Sequence, residues 1–236
     1  MQRTSLQGGS YETLFHFIAA ALCRFAGGRA GDEDGEGIIR INGGSITLAL
    51  HPNPQKIEQS AEDPSSLVTI YSDLGTVANV YLPGSGWSVT GPDVAGGKVD
   101  SATPFTPKRN FNLVLIKVAI LTAGGTNGVT LSVNDDSSGA PGTAIRMWNL
   151  VNLPPFPGCC KLDLARLKKT VRVKKGVQYW LVASTDKATQ DASDSWNMNS
   201  RSIFGTVGQR FGNGAWQVTK NSALLPAFSV LGTPAD

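Results

Sequence analysis

At 236 residues, 41% of them hydrophobic, 17% charged and with a net charge of +3, the chain can bury a core but carries no global field to draw it onto nucleic acid. Three cysteines, Cys23, Cys159 and Cys160, are too few and too poorly spaced for a disulfide scaffold or a paired zinc motif. No apolar run reaches about 18 residues, which excludes a transmembrane helix.

The N-terminal stretch opens with an apolar run, Leu14 to Leu22 (LFHFIAAAL), followed by small residues in the manner of a signal-peptidase site. Arg3 is its only leading cation and His16 interrupts it, so a short amphipathic helix is the alternative. Residues 27–66 then alternate Gly-rich, acidic and Pro-rich pieces around one strand-like IIRINGGSITLAL, where Asn42-Gly43-Gly44 can turn a hairpin. Residues 1–65 are therefore expected to be an N-terminal segment and linker with little structure, and residues 66–236 the folded domain.

From Leu67 onward, short apolar runs are separated by turn residues about every 8 to 12 positions, the spacing of a sandwich or barrel. The clearest predicted strand is Phe111 to Leu121, apolar on both faces except for Lys117 and therefore expected to be central. Further runs are Val129 to Val133, Ala144 to Val151, Thr170 to Val173, Val177 to Ser184, Ile203 to Val207, Ala215 to Thr219 and Ala227 to Leu231. Their joints carry Gly-Thr-Asn-Gly, Asp-Asp-Ser-Ser-Gly, Pro-Gly, Lys-Lys-Gly and Asn-Gly, the residues of tight turns. A single helical turn at 161–168 is the only other element expected. Two antiparallel sheets packed as a jelly-roll-like β-sandwich close such a set of strands.

Ile70-Tyr71-Ser72-Asp73-Leu74-Gly75, Gly84-Ser85-Gly86-Trp87, Pro104-Phe105-Thr106-Pro107, Gly139-Ala140-Pro141-Gly142-Thr143 and Leu153-Pro154 run in order through the domain. Gly158-Cys159-Cys160, Gln178-Tyr179-Trp180-Leu181-Val182-Ala183, Trp196, Gly212-Asn213-Gly214-Ala215-Trp216 and Pro226-Ala227-Phe228 complete the series. Together they resemble the choice-of-anchor R domain of bacterial surface proteins. The resemblance implies a secreted β-sandwich carried to the cell surface by various sorting signals. It brings no catalytic motif with it. The chain departs from the pattern after Gly232, where only Thr-Pro-Ala-Asp follows and no sorting signal is seen.

The two histidines, His16 and His51, fall outside the expected domain, which excludes a Ser-His-Asp or Cys-His site and a histidine-bound metal within it. No glutamate follows Glu62, and most aspartates sit in turns where they bond their own backbone. A glycosidase-like Asp pair is thus a distant third reading, and the chain is expected not to be an enzyme. The leading reading is an extracellular structural or adhesion-type module, with glycans or other surface proteins as partners.

The runner-up is a carbohydrate-binding module. Trp196 and Trp216 lie beside polar loop residues, and Asp194, Asn197, Asn199 and Asn213 would serve a sugar's hydroxyls while the indoles stack on its ring. Trp148 and Trp180, on strands, are read as core. Cys159 and Cys160 are candidates for a vicinal disulfide stiffening the Pro154–Gly158 turn. Asp135 and Asp136 carry part of a calcium ligand set, with a tight hairpin turn as the alternative. The run Arg166, Lys168, Lys169, Arg172, Lys174 and Lys175 is read as a charged, self-protecting edge strand, with an anionic polymer as its alternative ligand.

Overall fold

Period-two alternation dominates the computed structural model, which describes residues 67–236 and two short strands before them, β1 (Ile39–Ile41) and β2 (Gly44–Ile46). β1 and β2 pair antiparallel with Ile41 opposite Gly44. The chain divides into two units, Met1–Glu58 and Gln59–Asp236. The apolar run 14–22, Cys23, His16 and His51 lie outside the described residues.

The second unit holds β3 (Val68–Ser72), β4 (Tyr81–Thr90), β5 (Val99–Phe105), β6 (Phe111–Val118), β7 (Ile120–Gly124), β8 (Gly128–Ser137) and β9 (Ala140–Val151). It continues with β10 (Asp163–Val173), β11 (Tyr179–Ser184), β12 (Ser193–Asn199), β13 (Phe204–Phe211), β14 (Gln217–Leu224) and β15 (Phe228–Pro234). One sheet runs β10-β6-β15-β3 and the other β7-β12-β4-β5-β11-β8-β9, all pairs antiparallel. The first sheet, read with the β5-β11-β8-β9 part of the second, places late strands between early ones in both layers, the winding of a jelly roll. β4, β12 and β7 extend the larger sheet, and the β13–β14 hairpin branches from β5.

Each sheet turns apolar side chains inward to one shared core. Phe111, Leu113, Ile116, Val118 and Val230 from the smaller sheet meet Val129, Leu131, Val133, Leu181 and Trp196 from the larger. The expected strand 111–121 is in fact two. Val114 bulges out of the ladder, with Leu115 opposite Leu231 and Leu113 opposite Gly232, so the inward phase shifts from Leu113 to Ile116. The chain then crosses at Ala119 into the other sheet, where Ile120 begins β7. Apolar residues on both faces reflect that crossing: Ala119 and Leu121 fill a second cluster with Tyr81 and Ala227.

Two expectations change. The helical turn at 161–168 is strand β10, where Asp163 and Ala165 are buried and Leu164 and Arg166 exposed, an alternation that only an extended chain gives. β5 and β12 had no apolar signature because polar residues hold many of their buried positions, among them Asp100, Ser101, Thr103, Asp194, Asn197 and Asn199, and β4 had none because only Tyr81 and Val89 of its ten residues are buried.

Candidate functional site

The residues chosen from sequence as a sugar platform do not meet. Trp196 lies on β12, fully buried, its ring edge-on to Phe228 at 6.1 Å and its Nε1 donating to the Ala227 carbonyl at 3.1 Å. It is a core side chain, and the Asn and Asp that flank it in sequence alternate along a strand rather than ringing a loop. Trp216 packs on the opposite face of the larger sheet, against the Ala102, Trp180 and Val182 cluster, with the Arg210 guanidinium 4.8 Å over its ring.

The amides have structural duties or none. Asn199 is saturated: its Nδ2 donates to the Ile203 and Leu225 carbonyls, and its Oδ1 accepts from the Arg201 and Ile203 amides. Asn197 is fully buried with neither side-chain atom partnered. Asp194 is 3% exposed, with the Thr122 hydroxyl of β7 beside its carboxylate. Burial pushes the Asp194 carboxyl up to about 7. Asn213 lines an open cleft.

The acidic turn between β8 and β9 serves the fold. Asp136 Oδ1 accepts from Trp180 Nε1 at 2.7 Å and Gln178 Nε2 at 2.6 Å, while Oδ2 accepts from the Gly139 amide at 3.0 Å. Burial raises the Asp136 pKa, but these three bonds outweigh it and hold the carboxyl below its usual range. With both oxygens engaged by N–H donors, Asp136 supplies a clamp on Trp180. Among the described residues no group of three or more acidic, His or Cys side chains gathers as a metal site. Cys159 and Cys160 are joined to each other, and Cys160 packs with Phe156 and Leu162 against Tyr81. The Tyr81 hydroxyl donates toward the Gly158 and Lys161 carbonyls on either side of the pair.

Two of the larger clefts among the described residues bear on binding. One, of about 350 Å³, is lined by Pro92, Lys98, Thr185, Asp186, Lys187 and Asn213 among others. Asp186 is its only carboxylate, held below its usual range by the Ala188 amide first and then by Thr189 and Thr130.

The other cleft, of about 370 Å³, is lined by Arg146, Met147, Trp148, Arg166, Lys168 and Lys169. It lies where β9, the edge of the larger sheet, comes against β10, the edge of the smaller one. Edge placement and inward Val171 and Val173 agree with the sequence reading of the basic run. The sequence did not reveal its partner strand: Arg146, Met147 and Trp148 precede β10 by some fifteen positions, and Trp148, read as core, packs against the core yet stays half-exposed at the cleft.

The chain matches no protein-family model and no curated protein.

Proposed function

We propose that the chain is a non-catalytic binding module, of the extracellular or cell-surface kind that its resemblance implies. The observation that carries this reading is the lining of the two clefts: neither holds His, Cys or Glu, and their single carboxylate, Asp186, is tied to its own loop. Such walls can hold a ligand but lack the paired acid and base that turnover of a glycosidic or acyl bond requires. The aspartates whose carboxyls are raised toward neutrality, Asp73, Asp163 and Asp194, are buried between or behind the sheets and line neither cleft. The reading that relied on Trp196 and Trp216 as a stacked pair is set aside, because Trp196 is core.

The test incubates the full chain with an array of bacterial and host surface glycans and recovers the bound ligands by mass spectrometry. Saturable binding with ligands of unchanged mass is expected. Cleaved or modified ligand would contradict the non-catalytic reading.

A further inference from the structure

The cleft between β9 and β10 brings like charges together. Arg146 on one sheet edge faces Arg166, Lys168 and Lys169 on the other, all four exposed, and no carboxylate lines the space. None of the four is ion-paired among the described residues, where the salt bridges link Asp100 to Lys98 and Arg210. These four charges exceed the net charge of the whole chain, so acids elsewhere balance them while the cleft itself stays cationic. Protecting a sheet edge needs charges along that edge, not two cationic edges turned on one another, which repel unless an anion lies between.

The backbone adds a second observation. In the β10–β6 ladder Arg166 pairs with Leu115 and the next pair is Val171 with Leu113, so Leu167 to Thr170 arch over the single residue Val114. Leu167 turns back onto the core while Lys168 and Lys169 stand exposed. A bulge of this size already disrupts the edge against strand addition, and it also re-aims both lysines into the cleft.

The remaining walls are Trp148, half-buried, and Met147, 60% exposed. Trp148 packs against the core and also lines the cleft, and an indole beside guanidinium groups suits a ring with an attached carboxylate or sulfate: the ring lies on the indole, and arginine takes the oxyanion through paired N–H donors. Single-stranded nucleic acid sites instead present successive aromatic platforms along a groove, and this cleft has one aromatic. Its volume lies at the small end of the range of about 300–1,000 Å³ for small-ligand clefts.

We propose that the β9–β10 cleft binds an acidic oligosaccharide, with Trp148 under a sugar ring and Arg146, Arg166, Lys168 and Lys169 around its carboxylate or sulfate groups. This rests on the binding-module reading and gives it a ligand class.

The experiment measures binding of the full chain to short polygalacturonate oligomers, heparin oligosaccharides, neutral cello-oligosaccharides and single-stranded oligothymidylate, at low and physiological salt. The same series is run on Arg146→Gln/Lys168→Gln and on Lys98→Gln/Lys187→Gln, which alters the other cleft. Unfolding midpoints of both variants confirm that they fold. Binding of an acidic oligosaccharide, weakened by salt and by about tenfold or more in the first variant but unchanged in the second, is the expected result. Polygalacturonate binding as tight as heparin binding shows that carboxylates suffice for recognition, whereas heparin binding alone shows that sulfate is required. Tighter binding of oligothymidylate than of either acidic sugar would overturn the proposal in favour of nucleic acid. Binding of neutral glycans alone, or binding that the first variant leaves unchanged, overturns the proposal and leaves the binding-module reading standing. Failure of every probe to bind overturns the proposal too, and cleavage of any oligosaccharide brings down the non-catalytic reading beneath it.

Discussion

Trp196 and Asp136 show how much a single side chain's setting decides. Trp196 fills space between the sheets and satisfies its indole N–H on the Ala227 carbonyl, so Trp196→Ala opens a large cavity. The expected cost is about 3–5 kcal/mol, read as a drop in the chemical unfolding midpoint, with no change in ligand binding at the β9–β10 cleft. A stable Trp196→Ala chain would show that the indole is not core. Asp136 is exposed, yet it is the acceptor for the buried Trp180 indole. Asp136→Ala leaves that N–H unsatisfied and is expected to cost about 1–3 kcal/mol, while Asp136→Asn, which keeps an acceptor oxygen, costs less. Equal stability of the two variants would contradict the clamp. At this scale the sequence was readable for Trp180, a strand residue in an apolar run. It was not readable for Trp196, because Ser193-Asp194-Ser195 before it and Asn197 after it read as a polar loop, whereas the fold buries Asp194 and Asn197 beside the tryptophan within an interior strand.

Among the elements, the junctions carry the constraints. Gly125, in the turn between β7 and β8, has φ +71°, and a Cβ there would meet the backbone of Asp191, whose carboxylate accepts from the Thr126 amide. Gly125→Ala therefore combines left-handed strain of about 1–2 kcal/mol with a backbone clash, and the thermal midpoint should fall by several degrees. An unchanged midpoint would mean that the two loops can part without penalty. The same scale explains what alternation could and could not reveal. The inward Val171 and Val173 of β10 follow from period two. The split of Phe111–Leu121 does not, because the bulge at Val114 changes the phase and the crossing at Ala119 gives both faces a core to touch. Nor could any local pattern bring Arg146 opposite Arg166, since two sheets meet there through the jelly-roll winding rather than through a ladder.

Across the whole molecule, buried carboxyls set how stability depends on pH. Burial raises Asp73 to about 7, Asp194 to about 7 and Asp163 to about 6, although Asp73 accepts the Phe228 amide at 2.7 Å. In the unfolded chain these groups release their protons near the usual aspartate value of about 4. Between about pH 4 and 7 the folded chain thus binds more protons than the unfolded one, and stability falls as pH rises through that window. The thermal midpoint should be higher at about pH 5 than at about pH 8, and Asp194→Asn should flatten the slope. Asp136, Asp186 and Asp191, whose pKa values hydrogen bonds hold below the usual range, act oppositely and limit the gain below about pH 4. A midpoint that rises steadily from acid to neutral pH would contradict this account of the buried aspartates.

The placement of the ligand is tested most directly by mapping backbone amide shifts of the full chain, by NMR, during titration with the tightest-binding acidic oligosaccharide. The account predicts shifts concentrated on Ile145 to Asn149 of β9 and Leu164 to Arg172 of β10, with the ligand recovered intact. Shifts centred instead on Lys98, Lys187 and Asn213 would contradict it.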